Sequence, residues 1–123
     1  RVKDYAKRAH EEICVLVQVE TKAALDQLEG ICAVDGVDGV FIGPADLHAS
    51  LGYTGETSHP KVVPVIEEAI RRIAKCGKAP GVLAFPEPDI RRYIAAGSLF
   101  TAVGADAGIL ARGAEALAAK YKG

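Results

Sequence analysis

The chain has 123 residues, of which half are hydrophobic and a quarter charged, and its formal net charge is −1. This is enough apolar material for one compact core, which excludes a disordered chain and a pair of ordinary domains. There is no basic stripe with interleaved aromatics and no apolar run long enough to cross a bilayer, so neither nucleic acid nor membrane is an expected partner.

Residues 2–10 are polar and form a short expected helix. The start, Arg1-Val2-Lys3-Asp4, is not a secretory signal, and the chain contains no methionine. We therefore expect a cytoplasmic protein and a piece of a longer polypeptide. Residues 13–19 are an unbroken apolar run rich in β-branched side chains, the pattern of a strand buried on both faces. Glu20 ends that run. Thr21 can cap a helix whose stripe is Ala23, Ala24, Leu25 and Leu28, with Gly30 near its end unless residues 31–34 extend it. Asp38-Gly39 leads into a second strand over 40–42, stopped by Pro44.

Residues 45–51 predict a helical turn, followed by the glycine-rich loop Gly52-Tyr53-Thr54-Gly55. Ser58-His59-Pro60 opens the longest helix, over about 60–76, with Val63, Ile66, Ile70 and Ile73 on one face and Gly77 at its end. A third strand spans about 79–84. Pro86-Glu87-Pro88 breaks it, and Asp89 leads a helix through Ile90, Tyr93 and Ile94 to Gly97. A fourth strand covers about 100–103. After Gly104-Ala105-Asp106, an alanine-rich helix runs to near Lys120.

Strand and helix alternate four times. This predicts an α/β fold with a parallel sheet, read as a single half-barrel domain over residues 1–123: four β/α units, the C-terminal half of a (β/α)8 TIM barrel. The rival is a small, open, doubly wound sheet. No G-x-G-x-x-G follows the first strand, which argues against dinucleotide binding. Four parallel strands alone leave two open edges, so an N-terminal half-barrel segment is an expected partner that closes the sheet.

In a parallel sheet the strand C-termini share one rim. Glu20 follows strand one there and Asp46 follows strand two, and two hard oxygen donors on one rim read as a site for a hard divalent cation. The competing roles are structural: Glu20 as a helix cap or a lysine partner, and Asp46 as a cap after Pro44. Gln18 shares a face with Glu20 by the two-residue period of a strand. His48 is expected as a solvated loop residue, and His10 and His59 as surface residues. Asp106 is expected to cap its helix. Cys14, Cys32 and Cys76 match no zinc or redox spacing and read as reduced space-fillers, with Cys14 too deep in a strand to react. All eight lysines fall outside the expected strands, which argues against a Schiff-base aldolase and for a metal-assisted route if the site handles carbonyl compounds.

The runs Glu12-Ile13-Cys14-Val15-Leu16-Val17-Gln18-Val19-Glu20-Thr21 and Gly36-Val37-Asp38-Gly39-Val40-Phe41-Ile42-Gly43-Pro44-Ala45-Asp46-Leu47 resemble the class II, metal-dependent 2-oxo acid (pyruvate) aldolases. That family includes 4-hydroxy-2-oxoheptanedioate and 2-dehydro-3-deoxyglucarate aldolases. Further matches are Leu51-Gly52-Tyr53, His59-Pro60, Gly77-Lys78-Ala79-Pro80-Gly81 and Val103-Gly104-Ala105-Asp106. The resemblance covers nearly the whole chain, but only the C-terminal half of the family's barrel.

The resemblance implies a lyase that splits a 4-hydroxy-2-oxo acid into pyruvate and an aldehyde. It implies Glu20 and Asp46 as ligands of Mg²⁺, Mn²⁺ or Co²⁺, Gln18 as a substrate contact, the backbone at Ala45 and Asp46 as the receiver of the substrate carboxylate, and Leu83 as a pocket wall. The family's acid–base histidine and its arginine lie in the N-terminal half, so no catalytic residue is assignable in this chain. The resemblance also implies a homo-oligomer whose last helix packs on a neighbouring subunit. The alternatives are a non-catalytic half-barrel that binds metal or carboxylate, and an acyl-CoA ester lyase on the same barrel type.

Overall fold

A computed structural model describes residues 3–122. The elements, in chain order, are α1 (Tyr5–Glu12), β1 (Leu16–Val19), α2 (Lys22–Asp26), α3 (Leu28–Cys32), β2 (Gly39–Ile42), α4 (Pro44–Ser50), α5 (Val63–Lys75), β3 (Ala79–Leu83), α6 (Glu87–Ala96), β4 (Phe100–Ala102) and α7 (Asp106–Tyr121).

The four strands form one sheet in the order β1-β2-β3-β4, and every neighbouring pair is parallel. A doubly wound sheet reverses its strand order at a switch point. This sheet runs one way, so its right-handed crossovers place the helices on a single face, as in half of a (β/α)8 barrel. The core lies between that face and the helices. Val19, Val40, Ile42 and Val82 point into it, and α5 supplies Val63, Ile66, Ala69, Ile70 and Ile73, all essentially inaccessible to water. The 3.6-residue stripe expected on this helix is thus the buried one.

The opposite face carries Leu16, Gln18, Phe41, Gly81, Leu83 and Phe100. Phe41 and Phe100 meet there with ring centroids 5.7 Å apart. They meet across Gly81, where an added Cβ would stand 2.8 Å from the Phe41 ring.

Three expectations need correction. Residues 13–19 are not a strand buried on both faces. Pairing starts at Leu16, and Ile13, Val15 and Leu16 are 40–50% exposed, because β1 is an edge strand with only β2 beside it. Cys14 is consequently exposed, not deep in a strand, and Cys76 is exposed as well; Cys32 alone of the three is buried. The helix expected over about 60–76 starts at Val63, and with 13 residues it is shorter than α7, which has 16. Pro64 has no N–H to give the carbonyl four residues back, so residues 60–62 form a turn held by His59 instead, whose carbonyl accepts from Val62 and Val63.

Smaller differences follow the same logic. Gly30 does not end its helix, which breaks at Gln27 and resumes through Cys32. Glu87 and Pro88 open α6 instead of breaking the chain, since proline fits a first turn, and Gly97 closes it at φ 109°.

Candidate active-site rim

Glu20 leaves β1 half-buried, and the two-residue period sets Gln18 beside it. The Gln18 Nε2 amide donates to Glu20 Oε2 at 2.5 Å. Both side chains lie against Gly43, the residue that ends β2. A Cβ on Gly43 would stand 2.8 Å from Gln18 Nε2, 2.9 Å from Glu20 Oε2 and 3.0 Å from Glu20 Cβ. A Cβ there would have to push aside the ends of Gln18 and Glu20 and press on Glu20 Cβ, so Gly43 leaves these two side chains their room.

Gly43 is also the N-cap of α4, followed by Pro44, Ala45 and Asp46. A residue at the third helical position lies one turn on, over its own N-cap. Glu20 and Asp46 therefore both adjoin Gly43, one from β1 and one from α4.

The competing structural roles are not the ones these acids play. The N-cap of α2 is Thr21, whose hydroxyl accepts from the Ala24 N–H at 3.1 Å. Lys22 pairs with Asp26, not with Glu20. No side chain caps α4, and the Gly43 N–H that a capping Asp46 would take is given to Val19 O at 3.1 Å. Helix geometry also leaves the N–H groups of Ala45 and Asp46 without an intrahelical acceptor. Among the described residues, no group of three or more His, Cys, Asp or Glu side chains is assembled to hold a metal ion unaided. Two carboxylates with open coordination positions nevertheless fit a hard divalent ion that keeps water and substrate oxygens as its other ligands.

Ala45 and Leu83 line one small recess at this rim together with Pro44, Ala84, Phe85, Pro86 and Thr57. Thr57 reaches it from the loop between α4 and α5. Sequence reading did not single out Thr57, because nothing local marks where a loop folds back.

What holds that loop is His48, and here the expectation of a solvated histidine is wrong. His48 is fully buried on α4. Its Nε2 accepts from the His59 N–H at 3.0 Å, so Nδ1 carries the proton and donates to Pro44 O at 2.6 Å. The His48 carbonyl also takes the Tyr53 N–H at 2.8 Å, and Tyr53 stacks on His59 at 3.8 Å. His59 is half-buried under that ring; His10 is exposed on α1. Asp106 does not cap α7 as expected: the N-cap is Ala105, no side chain caps the helix, and the Asp106 carboxylate accepts only from the adjacent Ala107 N–H at 2.8 Å.

Comparison with known proteins places the chain in a family. The family model for HpcH/HpaI aldolase/citrate lyase matches residues 1–113. The 4-hydroxy-2-oxo-heptane-1,7-dioate aldolase of Klebsiella pneumoniae is 55% identical over 121 residues, which are 98% of this chain and 46% of that protein. The protein of the same name from Salmonella paratyphi C is 54% identical over the same shares of the two chains. The crystal structure of an HpcH/HpaI aldolase/citrate lyase family protein from Burkholderia cenocepacia superposes with a TM-score of 0.83 at 36% identity, covering 96% of this chain and 46% of that one. The chain thus spans somewhat less than half the length of the relatives it matches. From the strand order, the acidic rim and the extent of this match, the chain belongs to the HpcH/HpaI aldolase/citrate lyase family.

Proposed function

We propose that this chain is the metal-bearing half of a class II aldolase, a carbon–carbon lyase that splits a 4-hydroxy-2-oxo acid into pyruvate and an aldehyde. The observation that carries the reading is the crowding of Gln18 and Glu20 onto Gly43, with Asp46 one helical turn beyond. Glu20 and Asp46 would hold Mg²⁺, Mn²⁺ or Co²⁺. When bound, such an ion supplies Lewis acidity to the 2-oxo group.

The chain's own residues do the rest. The Gln18 amide fixes the orientation of the Glu20 carboxylate and presents its other polar atoms to the substrate. The free N–H groups of Ala45 and Asp46 receive the substrate carboxylate at the positive end of α4. Leu83 closes the recess with an apolar wall that excludes water. The described lysines all lie outside the strands, so no strand lysine stands at the rim for a Schiff base. Relatives named as aldolases favour this reading over an acyl-CoA ester lyase and over a non-catalytic half-barrel.

The remaining partners are an N-terminal half-barrel segment and further copies of the chain. The inner face with Leu16, Phe41 and Phe100 and the two strand edges support the first. The apolar residues of α7 support the second.

The test is Mn²⁺ titration of the chain followed by calorimetry or electron paramagnetic resonance, with and without pyruvate. Glu20→Gln and Asp46→Asn should each abolish the binding, and Gln18→Ala should weaken it by roughly tenfold or more. Equal Mn²⁺ affinity in the wild type and both carboxylate variants refutes the assignment.

A further inference from the structure

A second chemical pair lies at the other end of the sheet. Helices α3 and α5 both connect successive parallel strands, so both run against the strand direction and parallel to one another. Side-chain contacts fix their register. Arg72 of α5 donates through Nε and Nη2 to the two carboxylate oxygens of Glu29 on α3, each at 2.6 Å, and through Nη2 to Leu25 O at 3.2 Å.

One turn further along each helix stand two thiols. Cys32 ends α3, three residues past Glu29. Cys76 caps α5, its N–H bonded to Arg72 O at 3.1 Å. Just beyond them Lys78 Nζ donates to Val37 O at 2.5 Å. With the ion pair above and the lysine contact below, the register sets the two cysteines on facing helix ends. Burial first, and then the neighbouring Cys76, push the Cys32 thiol up to about 11. The two thiols differ in access, since Cys32 is 1% exposed and Cys76 is open to solvent.

We propose that Cys32 and Cys76 form a reversible disulfide, closed by hydrogen peroxide, that clamps α3 to α5 at the edge of the sheet opposite the Glu20–Asp46 rim. The exposed Cys76 thiolate attacks peroxide, the O–O bond breaks, hydroxide leaves, and sulfenic acid forms. The Cys32 sulfur then attacks the Cys76 sulfur. The S–S bond forms as the S–O bond breaks, and the departing oxygen leaves as water with the Cys32 proton. Two thiols and one peroxide yield one disulfide and two waters. The crosslink closes a long loop and restricts the unfolded chain, while the rim residues lie at the far ends of the strands. Nothing in it depends on the metal-site assignment.

The experiment uses the full chain treated with hydrogen peroxide in native buffer. The expected results are an intact mass lower by about 2 Da, a non-reduced peptide map joining Cys32 to Cys76, and a Tm rise of roughly 5–15 °C that dithiothreitol reverses. Cys14→Ser should keep all three, and Cys76→Ser, at an exposed position, should lose all three. The proposal is overturned if the mass does not fall, if Cys14 is the dominant partner, or if the Cys32–Cys76 link forms only in urea. A crosslink with no Tm rise overturns the clamp.

Discussion

Single residues set the rim and the helix register. A Cβ on Gly43 would meet Gln18 Nε2 at 2.8 Å and Glu20 Cβ at 3.0 Å, so it would displace both side chains. Gly43→Ala should cost roughly 1–3 kcal/mol in urea unfolding, as overpacking does, and should also weaken Mn²⁺ binding by displacing the Glu20 carboxylate. An alanine variant as stable and as competent as the wild type would show that the crowding is slack. Glu29 lies at the opposite end of the helix layer. Its hydrogen bonds to the Arg72 guanidinium hold its carboxyl at about 2, against an ordinary 4.5. A folded-state value below the unfolded one means that the stabilisation is complete above about pH 4.5 and disappears as pH falls towards 2. Tm should therefore fall more steeply over that window in the wild type than in Glu29→Gln; parallel acid limbs would remove Glu29 from the account. Some of this chemistry was legible from local sequence. Thr21 reads as a cap because the hydroxyl needs only the N–H three residues on. His48 did not read as buried, because its partner is the backbone of His59, eleven positions away across a loop.

At the scale of elements, periodicity located what packs and missed what is left bare. The isoleucine stripe of α5 is buried as its spacing requires. β1 and α7 show the opposite. Their sequences are as apolar as those of core elements, yet Leu16 is 40% exposed, and Ile109, Leu110 and Leu117 are 62–75% exposed. Apolar patterning records that a face is to be covered; it does not record by what. For α7 the sequence left two covers open, its own sheet or a neighbouring copy. No residue of α7 is buried within this chain. We expect the full chain to self-associate in sedimentation velocity and a chain ending at residue 105 to lose that self-association. An unchanged oligomeric state in the shortened chain would separate α7 from the interface.

At the scale of the molecule, the sheet is half of a closed design. Its four strands run in one sense and order, and among the described residues no strand pairs with the outer side of β1 or β4. The relatives extend over about twice the length, since the matched span is 46% of theirs. His48, the histidine of α4 beside the rim, is not free for proton transfer. Both ring nitrogens of His48 are engaged, and His59 is stacked on Tyr53 with Nδ1 accepting from the Lys61 N–H. The chain alone should therefore not cleave 4-hydroxy-2-oxoheptanedioate with Mg²⁺ or Mn²⁺, and mixing it with the N-terminal half of a relative's barrel should produce cleavage, read by coupled detection of pyruvate. Turnover by a clean preparation of the chain alone would overturn this. The sequence by itself determined the four strand–helix units, the α5 core stripe and the place of Glu20 and Asp46 just past the ends of β1 and β2, because each is written in spacings of a few residues. Only the tertiary structure decided the one-way strand order, the burial of His48, the arrival of Thr57 at the recess and the placing of Cys32 and Cys76 on facing helix ends. Those depend on which distant segments the packed helices and sheet bring side by side, and short-range periodicity carries no record of that.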